Sequence, residues 1–145
     1  MALPRPEPGL VLSYSYLWRE EHNQGAEEGR KARPCSVVLV TADEGGRTVV
    51  MVLPITHRPP RRRDDAVEIP SQTKARLGLD GERSWVVVTE ANEFVWPGPD
   101  LRLVPGTRGK FTYGYLPPKL FRRIREAFVR HWKRGAGSRS VKRTG

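Results

Sequence analysis

Three cations stand within four residues at Arg30, Lys31 and Arg33, and the chain runs from them through Pro34 into the aliphatic block CSVVLV. A guanidinium at the mouth of a buried strand is held in one place by the packing behind it, and its forked donors match phosphate geometry. A second cluster, Arg58, Arg61, Arg62 and Arg63, follows the apolar run TVVMVLPI and the pair Thr56-His57. Polyanions are held by several fixed cations at once, so both clusters are candidate phosphate contacts, against the plainer reading of a solubilising surface. Trp18 and Trp96 are placed to stack unpaired bases at about 1–3 kcal/mol each, though either could equally fill the core.

Other chemistries find less support. The three histidines, His22, His57 and His131, are far apart along the chain, and no Cys/His cluster has the spacing of metal ligands. The expectation is a site with no metal and no cofactor. Cys35 is the one cysteine and is read as core packing. The apolar runs fall well short of the roughly 18 residues a membrane span needs, and MALPRPEPG lacks the apolar stretch of a signal peptide, which predicts a cytoplasmic protein with no membrane contact. The formal charge is +10, but nine Lys/Arg against one acid lie between Arg122 and Gly145, leaving +2 for residues 1–121. Basicity therefore belongs to the C-terminal end more than to the body.

These residues need a frame to hold them. GLVLSYSYLW, residues 9–18, alternates Tyr14, Tyr16 and Trp18 in the period of a half-buried strand, with both tyrosines assigned to the core. A long polar loop follows, and then CSVVLV and TVVMVLPI flank the turn signal DEGGR as a central hairpin. AVEIP, the run from Trp85 to Val88, Phe94 to Trp96, and LRLV are further short strands, with SQTKARLGL as a helical turn. Many short strands at close spacing predict a small antiparallel β-barrel. From Pro117 the period changes: Leu120, Phe121, Ile124, Ala127, Phe128, His131 and Trp132 form one stripe of an amphipathic helix. Residues 1–134 are read as one domain and 135–145 as a disordered basic tail.

The order of these features resembles the PemK/MazF family of toxins from bacterial toxin–antitoxin systems. The matching segments are Gly9 to Val11, Gly29 through Arg33-Pro34 to Val40, Val52 to Thr56 and Trp85 to Glu90, followed by the C-terminal helix. The resemblance implies a mainly β, SH3-like barrel, a homodimer, and cleavage of single-stranded RNA without metal, restrained by a cognate antitoxin. It carries the catalytic roles to Arg33 and Thr56 and a substrate contact to Asn92. Two departures are visible: Arg30-Lys31-Ala32 separate Gly29 from Arg33, and Ala91 stands where a polar residue often follows the acid.

Arginine titrates above about 12, so Arg33 suits charge stabilisation better than proton transfer. His57, His22 and Glu20 are the groups better matched to moving a proton. Strand alternation would turn His57 away from Thr56 unless the strand ends there, as Arg58-Pro59-Pro60 suggests. RNA contacts are assigned to Trp18, Arg30, Lys31, Arg58, Arg61, Asn92 and Trp96. The competing reading is a non-catalytic barrel of the same shape that binds nucleic acid or a protein target.

Overall fold

A computed structural model describes residues 3–25, 31–135 and 140–143. Eight strands and three α-helices follow in the order β1 (Leu10–Tyr14), α1 (Arg19–Asn23), β2 (Arg33–Ala42), β3 (Thr48–Thr56), β4 (Ala66–Glu68), α2 (Ser71–Leu77), β5 (Trp85–Val87), β6 (Ala91–Val95), β7 (Thr112–Tyr115), α3 (Pro118–Lys133) and β8 (Ser140–Lys142). The strands join one sheet in the order β4-β5-β3-β2-β1-β7, with β6 also on β3 and β8 on β6. Every pairing is antiparallel except β6 with β8. Strand pairing does not close the ends of this path among the described residues, so the mainly β fold with its C-terminal helix is present as an unclosed sheet.

The long β2–β3 hairpin is the spine. Residues 35–38 and 50–55 read as continuous apolar runs because both faces are covered there, while the turn end of the hairpin is open to solvent. Along β3, Met51, Leu53 and Ile55 enter a core shared with Leu120, Ile124, Ala127 and Phe128 of α3, while Val50 and Val52 enter a second core with Tyr14, Tyr16, Cys35 and Phe94. Strand periodicity thus feeds two layers from one element. The apolar stripe of α3 docks on the chain's own body, and Trp132 at its end stays exposed.

Three local expectations change. The polar loop after Trp18 holds the short helix α1, started where the Trp18 N–H donates to the Glu21 carboxylate three residues on, 3.2 Å away. LRLV makes only an isolated bridge, Leu101 to Tyr14, and the strand in that region is β7. The tail read as disordered contributes β8 at residues 140–142. Val141 is buried there, and the Arg143 side chain, 2% exposed, meets the Asp100 carboxylate at 3.0 Å. Arg143 also donates through Nη1 to the Ser15 carbonyl (2.7 Å) and to Asn92 Oδ1 (3.0 Å). A three-residue strand is too short to show a period, and its anchor is a tertiary ion pair that spacing does not reveal.

Candidate active site

Arg33 opens β2 and Thr56 closes β3. Cys35 pairs with Pro54 at the open end of the hairpin, which brings the start of β2 and the end of β3 to the same edge of the fold. Both line one groove of about 440 Å³, together with Lys31, His57, Lys74, Asp80 and Ser84. β3 ends at Thr56, so His57 is freed from strand alternation and reaches the same groove as its neighbour.

Arg33 is half-buried. Its guanidinium carbon lies 4.9 Å from the centre of the Trp18 ring, and its Nε is buried with no hydrogen-bond partner. No acid pairs with it among the described residues. An orphaned donor on a cation is costly to keep unless something fills its place. Thr56 Oγ1 accepts from the Arg58 N–H at 3.2 Å, which leaves its own proton to donate.

The opposite wall carries polar groups that the sequence reading did not single out. Lys74, on the buried side of α2, donates to Asp80 Oδ1 and Ser84 Oγ, each at 2.6 Å, and to the Glu82 carbonyl. Asp80 Oδ2 lies 2.7 Å from His57 Nε2. Hydrogen bonding from Lys74, with smaller help from the Glu82 N–H and His57, holds the Asp80 carboxyl below the usual carboxylate range. Gly78 ends α2 at φ +71°, the left-handed turn that throws residues 79–84 back across the groove. His57, Asp80 and Glu82 are exposed and bring ligand atoms within 4.8 Å of one another, a cluster that spacing along the chain had not shown. The Lys74 ammonium already supplies a cation to the Asp80 carboxylate of this cluster.

Other predicted residues sit elsewhere. Glu20 and His22 are exposed on α1 and do not line the groove. Arg58 and Arg61 are exposed beyond Thr56, off the groove wall, and Arg30 lies outside the described residues. The RNA contact assigned to Asn92 is corrected: the residue is 0% exposed, and its amide accepts from the Leu17 N–H and donates to the Leu17 carbonyl, both at 2.8 Å. A buried amide held in this way fixes the chain ahead of α1, and its burial closes it to a ligand. Trp96 packs on Phe94 at 6.2 Å against the second core, and Trp18 is half-buried with Arg33 over its ring.

The arrangement superposes on the Mycobacterium tuberculosis toxin MazF-mt6 with a TM-score of 0.51 and 22% identity, over 88% of this chain and 97% of that one. The chain has a PemK/MazF-like fold. No family model matches the sequence, and no curated protein matches it. Within the MazF-like fold, the hairpin that carries Arg33 and Thr56 is at the centre of the sheet. No described helix is long and apolar enough to cross a membrane.

Proposed function

We propose that this chain is a metal-independent endoribonuclease acting on single-stranded RNA, the toxin of a toxin–antitoxin pair that works as a cytoplasmic homodimer. The observation that carries the reading is the Arg33 guanidinium, partnerless at Nε and facing no acid among the described residues, on the wall of one groove with Thr56. Such a donor suits an arriving anion.

In metal-free cleavage the 2′-hydroxyl attacks the adjacent phosphorus, and negative charge builds on the non-bridging oxygens. Donors placed where that charge develops stabilise the transition state more than the ground state. Arg33 supplies the charge and the fork, and Thr56 donates its hydroxyl to the same group or aligns the attacking oxygen. Lys31, exposed on the groove rim, adds a phosphate contact. Of the three groups suited to proton transfer, His57 lines the groove with them. An antitoxin segment with acidic side chains would compete for the same cations.

Purified protein incubated with single-stranded RNAs of varied sequence in excess EDTA is expected to give fragments ending in a 2′,3′-cyclic phosphate. Folded protein that leaves all of them intact would overturn the nuclease reading. Binding without cleavage would point to the non-catalytic barrel.

A further inference from the structure

Lys74 is 4% exposed, and burying an ammonium is costly unless its donors are all matched. Here they are matched by Asp80 Oδ1, Ser84 Oγ and the Glu82 carbonyl. Asp80 Oδ1 also accepts from the Glu82 N–H at 3.1 Å. One carboxylate oxygen is therefore pinned by two donors, which aims the other, Oδ2, at His57 Nε2, 2.7 Å away. A carboxylate can only accept, so the shared proton belongs to Nε2 and the lone pair of the neutral ring to Nδ1. The Glu82 carboxylate lies 3.7 Å from Nδ1, beyond hydrogen-bonding reach.

We infer that Asp80, held by buried Lys74, is a positioning residue that fixes His57 in the tautomer whose Nδ1 takes the proton of the attacking 2′-hydroxyl. The inference rests on the nuclease reading above. In the step, the O2′–H bond breaks with the proton passing to Nδ1, the O2′–P bond forms, and the P–O5′ bond breaks. The leaving O5′ keeps the bonding pair and takes a proton from water, and the imidazolium later returns its proton to solvent. The products are a 2′,3′-cyclic phosphate and a 5′-hydroxyl. Asp80 faces the imidazolium while it exists, the part an orienting carboxylate plays behind a histidine base.

Two measurements test this. In protein labelled with 15N-histidine, the His57 ring, assigned by its loss in His57→Ala, should show a protonated Nε2 and a bare Nδ1. Asp80→Asn should blur that preference, because an amide can donate as well as accept, and should lower kcat about 10²-fold with KM unchanged. Asp80→Glu should recover part of the loss. Should Asp80→Asn fail to fold, free imidazole decides: it should restore cleavage to His57→Ala and not to Arg33→Ala. A wild-type ring protonated at Nδ1, an unchanged kcat in Asp80→Asn, or no imidazole rescue would overturn the inference. If wild-type protein cuts no RNA, the nuclease reading falls, and the nitrogen spectrum alone decides whether Asp80 sets the tautomer.

Discussion

Arg33→Ala is expected to lower the cleavage rate by about 10²–10³-fold, the loss that follows removal of one charge-stabilising donor from a preorganised site, equivalent to about 2.7–4 kcal/mol. The fold should survive. Losing the guanidinium from the Trp18 face gives up about 0.5–2 kcal/mol, while deleting the orphaned Nε removes a penalty of about 1–3 kcal/mol, so the two nearly cancel. A fall in rate with an unchanged denaturation midpoint is thus the diagnostic pair. Arg33→Lys should recover little, since an ammonium keeps the charge but not the two-pronged geometry. Full activity in the alanine variant would show that the cation is an ornament of the sheet end and that the chemistry lies elsewhere.

The second large effect concerns stability. Arg143→Ala should cost about 3–5 kcal/mol in urea denaturation, because it leaves the Asp100 carboxylate, 8% exposed, without its counter-charge. Nη2 lies 3.0 Å from Asp100 Oδ1 yet outside hydrogen-bonding geometry, so the contact is ionic, and the directional bonds are those of Nη1 to Ser15 and Asn92. The guanidinium also sits 5.5 Å from the centre of the Tyr14 ring, closing the second core from above. Replacing Arg143 and Asp100 together by apolar residues of similar size should restore much of the loss, since the cost comes from the unpaired charge. A single variant within about 1 kcal/mol of wild type would mean that the ion pair is not maintained in solution.

What could be read from the chain follows the range of the forces involved. The β2–β3 hairpin and α3 announce themselves because their packing repeats every two residues or every three to four, a pattern a short window contains. Arg33 stood out for a related reason, as a cation at the mouth of a strand that local pattern defines, whereas Thr56 was reached only through the family resemblance. Lys74 did not stand out, since a lysine inside SQTKARL looks like any solvated helix position, and its burial depends on a loop ten residues on. Asp80 lies between Leu79 and Gly81 and looks like ordinary turn chemistry. Asn92 misled in the opposite direction: a polar residue after an acid resembles a ligand contact, and only the approach of Leu17, 75 residues away, shows that its amide is already engaged inside the protein. β7 is interrupted by Gly114 and β8 spans three residues, so neither holds enough repeats to register.

The indole beneath Arg33 has a practical meaning. An anion that draws the guanidinium toward the groove would change the electrostatic field across the Trp18 ring, and indole emission responds to such fields. With Trp85, Trp96 and Trp132 replaced by phenylalanine, fluorescence from the remaining indole would follow occupancy directly, with no label attached to either nucleic acid or protein.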